Sequence, residues 1–333
     1  MSQQQTAERE TVLVTGGAGF VASWCVVRLL QAGHDVRATL RDLGRADEVR
    51  GMVGRKIDPG ARLSFVQADL TRDEGWAAAA AGCRYVLHVA SPMSYADIKG
   101  PEAIAVATDG ALRVLRAGAE AGVRRVVMTS STAAARPAAG QAGVDEGTWT
   151  EVGDAFDNPM EIYGQSKTRA ERAAWAYVAR LGGAMELATI LPGLIQGPVL
   201  GADYALSVEI VAQLLKGRAP SYPTPGVELV DVRDLADLHV LAMTAPAAAG
   251  ERFLATTAYA TFADMARVLR DHFGARAPAI PAMEAPSGAA AVEFTSAKAR
   301  DRLGWRTRSI AETLVDTAES LLSAGGVEPA PAG

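Results

Sequence analysis

Short, nearly continuous apolar runs alternate with longer amphipathic segments through the first 190 or so residues. The amphipathic segments predict helices over 20–32, 45–53, 72–81, 101–121 and 163–181. The apolar runs are rich in Val, Leu and Ile, as strands covered on both faces are, and predict strands over 11–15, 35–40, 62–67, 84–89, 124–129 and 186–191. This order of elements predicts an α/β fold with a doubly wound parallel sheet and right-handed crossovers.

The regular alternation of apolar runs and amphipathic segments ends after residue 191. Segments rich in Pro and Gly predict loops on either side of a helix over 204–216. A strand over 227–230, a helix over 232–244 and a strand over 252–255 are expected to return to the main sheet. Helices over 261–273, 296–303 and 310–322 are expected to form a smaller lobe.

These patterns predict four regions of the chain. A cofactor-binding domain is expected over 11–191 plus 227–255, and a substrate-binding lobe over 192–226 plus 256–325. Residues 1–10 are expected to be a disordered N-terminus, and residues 326–333 a frayed tail.

Charge and composition indicate which partners and which cellular location to expect. A net charge of −5 leaves no basic stripe, so neither a nucleic acid nor a membrane surface is an expected partner. No segment has the roughly 18 consecutive apolar residues that a membrane span needs, and the polar start lacks a signal core. The two cysteines, Cys25 and Cys83, lie in apolar surroundings, which indicates free thiols in a reducing compartment. The expected location is the cytoplasm.

A glycine-rich turn follows the first predicted strand and opens the first helix, with the spacing Gly16-x-x-Gly19-x-x-Ala22. Glycine lets the backbone turn tightly and approach a pyrophosphate, whose charge then meets the helix N-terminus. The turn therefore predicts a dinucleotide site that includes Gly16, Gly19, Phe20 and Val21. The alternative is a glycine-rich turn that binds nothing.

The end of the second strand favours NADP(H) as the cofactor. Enzymes that use NAD usually place Asp or Glu there to hold the ribose 2′-hydroxyl, whereas this strand ends at Arg41. Arg41 offers a fixed cation and a planar face to a 2′-phosphate, and Arg45 could add a second cation. Asp42 is expected to point away from the phosphate. The alternative is that Arg41 is only a solvated loop residue.

Asp69 and Leu70 lie just past the third predicted strand and are expected beside the adenine. Asp69 could equally be the N-cap of the following helix.

Tyr163 and Lys167 are four residues apart, so on a helix they project from one face. An isolated phenol is a poor acid or base at neutral pH. A nearby ammonium and the positive nicotinamide of an oxidised cofactor favour the phenolate, and Lys167 can also hydrogen-bond the nicotinamide ribose. Ser131 ends the fifth predicted strand, where it can donate to a substrate oxygen. Ser130 or Thr132 would take that place if the register differs by one.

Together these motifs resemble the extended short-chain dehydrogenase/reductase superfamily, in its dihydroflavonol 4-reductase-like branch. The resemblance runs over almost the whole chain, through VTGGAGF at 14–20, VRATLRD at 36–42, VASPM at 89–93, TSS at 129–131, Tyr163 with Lys167, LPG at 191–193 and LGW at 303–305. It implies a Rossmann sheet with a smaller C-terminal substrate lobe, and the catalytic triad Ser131, Tyr163 and Lys167. Arg41 would contact the 2′-phosphate, and the further cofactor contacts would be Val89, Ala90, Ser91, Thr129, Pro192 and Leu194.

Two positions depart from that family. Ala107 stands where many members carry an Asn that extends the proton relay, so water would complete the relay here. Arg136 stands where plant dihydroflavonol reductases carry an Asn that reads the flavonoid, so a flavonoid substrate is not implied. The candidate substrate pocket, for which ordinary packing is an equal alternative, comprises Met93, Tyr95, Arg136, Phe156, Met160 and Tyr204.

The predicted function is the reversible, NADPH-dependent reduction of a ketone or aldehyde to an alcohol by a monomer or homodimer. The four histidines lack paired spacing for a metal, and the polar cluster at 231–234 predicts a capped strand-to-helix junction. An NAD-dependent sugar-nucleotide epimerase or dehydratase is one alternative, against which Arg41 argues. A non-catalytic NADP-binding redox sensor is another, against which Tyr163 and Lys167 argue.

Overall fold

The computed structural model describes residues 9–91, 102–138, 143–153, 158–201, 205–222, 224–284, 292, 294–325 and 327. Its strands are β1 (Thr11–Val14), β2 (Asp35–Leu40), β3 (Leu63–Gln67), β4 (Tyr85–His88), β5 (Arg125–Thr129), β6 (Glu186–Pro192), β7 (Leu194–Gln196), β8 (Gly226–Asp231), β9 (Arg252–Ala255) and β10 (Ala258–Thr261). Its α-helices are α1 (Phe20–Gln31), α2 (Ala46–Gly54), α3 (Trp76–Ala80), α4 (Glu102–Glu120), α5 (Pro159–Ala179), α6 (Glu209–Leu215), α7 (Val232–Thr244), α8 (Phe262–Phe273), α9 (Ala297–Leu303) and α10 (Ile310–Ser323).

Seven of the described strands form a parallel central sheet in the order β3-β2-β1-β4-β5-β6-β9. Successive side chains of a strand point to opposite faces, so both faces of this sheet are apolar. Along β1, Val12 and Val14 enter the core shared with α1 and α7, whereas Leu13 enters the core shared with α4 and α5. The strand order reverses between β1 and β4, which opens a crevice at the carboxyl ends of the strands. The predicted α/β Rossmann fold is confirmed.

Local chemistry explains where two helices begin. The helix predicted over 163–181 starts earlier, at Pro159, because Asn158 caps it by accepting from the Glu161 amide at 3.0 Å and Pro suits the first helical position. The helix predicted over 72–81 starts later, because Gly75 adopts a left-handed φ of +87° just before Trp76.

The segment predicted over 227–230 does not return to the central sheet, so that expectation is wrong. It forms β8, which pairs in parallel with β7 and antiparallel with β10 in a second, three-stranded sheet. The short strands β7 and β10 were not predicted. The helix over 232–244 and the strand over 252–255 do return: α7 packs on α1, and β9 pairs with β6. The proposed domain boundaries stay a prediction.

Smaller differences lie near the chain's end and in the helix predicted over 204–216. Val327 was expected to belong to a frayed tail, but it is buried in the main apolar core because its side chain is apolar. The helix predicted over 204–216 is confined to α6, since 206–208 form a turn before it.

The junction at 231–234 is structural, as predicted. Asp231 caps α7 by accepting from the Arg233 amide at 2.8 Å and also accepts from the Thr313 hydroxyl of α10 at 2.9 Å. The indole of Trp305 donates to the Asp234 carbonyl at 2.7 Å, which fixes the segment between α9 and α10 against α7. Among the described helices, none is both long enough and apolar enough to cross a membrane.

Candidate active site

The turn between β1 and α1 forms a tight backbone cradle. The amides of Gly16 and Gly17 donate to the hydroxyl and carbonyl of Thr39 at 2.9 and 2.8 Å, and the Gly19 amide donates to the Gly16 carbonyl at 2.8 Å. Gly16 has a φ of +70°, and a Cβ there would lie 3.0 Å from the Ala90 Cβ. Both facts require glycine. Gly19, as N-cap, supplies no capping side chain, so the first amides of α1 are available to an anion.

Thr15 ties this turn to the end of β4. Its hydroxyl oxygen accepts from the amides of Val89 and Ala90 at 3.0 and 2.9 Å, so its proton is donated to His88 Nδ1, 3.0 Å away. Burial, with a smaller contribution from the charge of Lys167, lowers the pKa of His88 to about 3. His88 is therefore a neutral imidazole. The predicted contacts Val89 and Ala90 lie directly beside the glycine turn.

The predicted cation lies directly after β2. Arg41 is exposed, and its guanidinium makes no hydrogen bond or ion pair with the residues that the structure describes. Asp42 turns back to accept from the Gly44 amide at 2.8 Å, as expected. Arg45 is paired with Glu48 through two hydrogen bonds of 2.8 Å. Arg41 is therefore the freer of the two cations predicted to meet a 2′-phosphate.

Asp69 stabilises the loop after β3. Its carboxylate accepts from the amide and the hydroxyl of Thr71, both at 2.8 Å, and the amide hydrogen bond is the main reason that its pKa is lowered. Gly75, not Asp69, is the N-cap of α3, so the alternative role foreseen for Asp69 is not what the structure has. Leu70 is buried against α4.

Ser131, Tyr163 and Lys167 line one cavity of about 480 Å³. Ser131 caps a single 3-10 turn after β5, where its oxygen accepts from the Ala133 amide at 3.1 Å and its proton stays available to donate. Tyr163 and Lys167 project from α5, and the Lys167 ammonium lies 5.8 Å from the centroid of the Tyr163 ring. The structure thus brings the three predicted catalytic side chains together.

Hydrogen bonding distinguishes the hydroxyl of Ser131 from those of the neighbouring residues. Ser130 is buried and donates to the Glu171 carboxylate at 2.6 Å, so its hydroxyl is not available to a substrate. Thr132 lines the cavity, next to Ser131. Thr129 donates to His239 Nε2 at 2.7 Å, because His239 Nδ1 must donate to the Leu235 carbonyl at 2.8 Å. The hydroxyl of Thr129 is therefore engaged with α7 rather than free for a cofactor.

The second sheet supplies the opposite wall of the cavity. Gly193 permits the close approach of this wall, since a Cβ there would lie 2.5 Å from the Glu228 carbonyl oxygen. Among the wall residues that sequence reasoning missed are Glu228 and Tyr259, because it assigned the strand at 227–230 to the wrong sheet, and Tyr222 in the loop before that strand. The Pro- and Gly-rich segment just before that strand could have indicated that the chain leaves the central sheet there.

Of the predicted substrate residues, Arg136 and Met160 line the cavity, as do Ser91 and Leu194 from the cofactor set. Pro192 is buried at the end of β6, paired with Ala255 of β9. The remaining predicted pocket residues lie outside the described residues: Met93, Tyr95, Phe156 and Tyr204.

Comparison with known proteins gives a consistent set of relatives. The family model described as the NAD dependent epimerase/dehydratase family matches residues 12–255. Dihydroflavonol 4-reductase of Zea mays is 40% identical over 276 residues, which cover 80% of this chain and 75% of that protein. Cinnamoyl-CoA reductase 1 of Arabidopsis thaliana is 35% identical over 330 residues, covering 96% of this chain and 91% of that protein. The NADPH complex of Gre2 from Candida albicans is 27% identical with a TM-score of 0.84, covering 95% and 99% of the two chains.

Because His88 and His239 are buried, we expect the free energy of unfolding to be sensitive to acid. Burial lowers the pKa of His239 to about 4, as it lowers that of His88 to about 3, whereas the unfolded chain takes up these protons near pH 6.5. The contribution of each histidine to the free energy of unfolding should therefore be level above pH 7 and fall as the pH drops below 6.5, by about 1.4 kcal/mol per pH unit.

Urea unfolding at about pH 7.5 and about pH 5 measures this loss. The variant His239→Gln should lose less stability between the two pH values than the wild type, by about 2 kcal/mol. His272→Gln is the matched control, since its imidazole is exposed, and should keep the wild-type loss. An unchanged loss in His239→Gln would show that His239 is not held neutral.

Proposed function

Because this chain belongs to the NAD dependent epimerase/dehydratase family, with dihydroflavonol and cinnamoyl-CoA reductases among its relatives, we propose that it reduces a ketone or aldehyde to an alcohol. It is an NADP-dependent oxidoreductase. The observation that carries the proposal is the convergence of Ser131, Tyr163 and Lys167 on one cavity at the carboxyl edge of the sheet.

The residues of the crevice fit NADP(H). The Gly16 cradle has no room for a side chain, the α1 N-terminus lacks a side-chain cap, and Arg41 is free to pair with a 2′-phosphate. When bound, the cofactor would supply a hydride from the nicotinamide C4 to the carbonyl carbon. Gly16 and Gly19 would approach its pyrophosphate, while Val89 and Ala90 would border the nicotinamide side.

The side chains of the cavity would stabilise the charge that develops on the carbonyl oxygen and would supply the proton. Ser131 donates a hydrogen bond to the carbonyl oxygen, which stabilises the negative charge that develops there. Tyr163 donates the proton that completes the alcohol. Lys167, one helical turn away, stabilises the phenolate that Tyr163 becomes and holds the nicotinamide ribose. Ala107, on α4, is buried and has no polar group, so water rather than a side chain at that position would return the proton.

The cavity favours a substrate with an apolar or aromatic body. Its described walls include the large apolar side chains of Met160, Leu206 and Phe294 and the rings of Tyr222 and Tyr259. Arg136 and Glu228 add one charge of each sign. We therefore expect aryl ketones, β-keto esters and aldehydes to be better substrates than small polar carbonyl compounds.

Turnover against these carbonyl compounds, followed by the absorbance of NADPH, tests the proposal. An aryl acyl-CoA thioester belongs in the same panel, because one relative is a cinnamoyl-CoA reductase. Tight NADPH binding without turnover of any member would favour the redox sensor. Purified protein carrying stoichiometric NAD would favour an epimerase, against which Arg41 at the end of β2 argues.

Removing the proposed proton donor should stop the chemistry but not cofactor binding. Tyr163→Phe should lower kcat by at least about 100-fold, since general acid catalysis is lost. The dissociation constant for NADPH, measured by fluorescence titration, should stay unchanged. Tyr177→Phe is the matched control, because Tyr177 lies on the same helix but packs against the apolar core shared with α4 and α5, and it should stay close to wild-type kcat. Normal ketone reduction by Tyr163→Phe would make the assignment of Tyr163 wrong.

Removing the proposed 2′-phosphate contact should change cofactor preference. Arg41→Ala should lower kcat/KM for NADPH by about 10- to 100-fold, since a charge-assisted hydrogen bond is lost, and should leave kcat/KM for NADH unchanged. Arg45→Ala is the control, because its guanidinium is already paired with Glu48, and a smaller loss is expected. A larger loss in Arg45→Ala than in Arg41→Ala would transfer the contact to Arg45.

A further inference from the structure

A fully buried carboxylate, that of Glu171, lies on α5 one helical turn after Lys167 and two turns after Tyr163. It accepts from the hydroxyls of Ser130, just after β5, and Thr189 on β6, at 2.6 and 2.7 Å. It also accepts from the Trp175 indole at 3.3 Å and from Arg252 on β9 at 2.8 and 3.3 Å. These donors engage both carboxylate oxygens, so its orientation is fixed.

Arg252 extends this cluster to the loop over 146–150, which is hydrogen-bonded to the 3-10 turn after Ser131. Its guanidinium donates to the carbonyls of Glu146 and Thr148, both at 2.7 Å, and stacks 3.7 Å from the centroid of the Trp149 ring. The hydroxyl of Thr150 in the same loop then donates to the Ala133 carbonyl at 2.7 Å, in the 3-10 turn that Ser131 caps.

The cluster therefore joins every element that carries a proposed catalytic group. Tyr163 and Lys167 lie on the same helix as Glu171, and Ser131 directly follows Ser130. Adjacent residues at the end of a strand point to opposite sides, so the bond from Ser130 to Glu171 leaves Ser131 facing the cavity. Two neighbouring serines are chemically equivalent, and this buried carboxylate is what distinguishes them.

We propose that Glu171, held by Arg252, is a positioning residue that sets the placement of Ser131 relative to Tyr163. Glu171 acts through Ser130 and the α5 backbone and does not touch substrate. The inference rests on the reductase function proposed above.

A second Arg–Glu pair, formed by the buried Arg125 and the partly exposed Glu186 at the other ends of β5 and β6, provides a control. Arg125 at the start of β5 pairs with Glu186 at the start of β6 at 2.7 Å and donates to the carbonyls of Ala242, Met243 and Ala245. This pair lies at the amino ends of β5 and β6, away from the cavity. It thus shares the stabilising chemistry of the Glu171 cluster without its connection to the active site.

The test compares Glu171→Gln and Arg252→Lys with Glu186→Gln and Arg125→Lys. A glutamine has only one accepting oxygen, and a lysine lacks the guanidinium fork, so each Glu171-cluster variant releases part of the cluster. We expect kcat for the best ketone to fall by about 10- to 100-fold in these two variants. The dissociation constant for NADPH should stay at its wild-type value. The control pair should also lose melting temperature but keep kcat within about twofold.

Ser130→Ala keeps the test decisive if Glu171→Gln fails to fold, because it removes one hydrogen bond and leaves the ion pair intact. A lowered kcat in Ser130→Ala with unchanged NADPH binding supports the positioning role. Wild-type kcat in the folded variants, or an equal loss of kcat in the control pair, overturns it. The assay of the wild-type protein tests the proposed function separately. A wild-type protein that reduces no carbonyl compound would contradict that function rather than the positioning role.

Discussion

The hydrogen bond from Ser130 to the buried carboxylate of Glu171 joins the end of β5 to α5, and it is the interaction on which the proposed geometry of the active edge depends. It belongs to a wider constraint, since polar groups at the buried ends of parallel strands must find partners inside the protein. Thr15 meets this constraint with His88, and Thr129 meets it with His239. Each of these hydroxyls is engaged internally, whereas Ser131 keeps a proton that it can donate into the cavity.

The features predicted correctly from the sequence depend on local patterns. Apolar runs such as 124–129 and 186–191 can be read as buried strands because their side chains face cores on both sides of the sheet. The turn at Gly16 can be recognised because its positive φ and its contact with Ala90 admit only glycine. The spacing of Tyr163 and Lys167 suffices to place both on one helical face.

The features that were missed depend on pairing between distant segments. The strand at 227–230 is apolar enough for either sheet, and only its pairing with β7 and β10 decides between them. The position of Arg252 beside Glu171 joins residues 81 apart along the chain, which no local pattern encodes. The choice between Ser130 and Ser131 also required the structure, because the partner of Ser130 lies on another element.

The neutral state of His88 completes the electrostatic argument for the catalytic pair. Lys167 contributes to lowering the pKa of His88, so the ammonium is close enough to the end of β4 for the two groups to interact. A second cation there would repel Lys167 and compete for the negative charge that the proposed mechanism places on the Tyr163 oxygen. Burial and the hydrogen bond from Thr15 keep this imidazole uncharged. Lys167 therefore meets no competing positive charge from His88, and its field acts on the phenol one helical turn away.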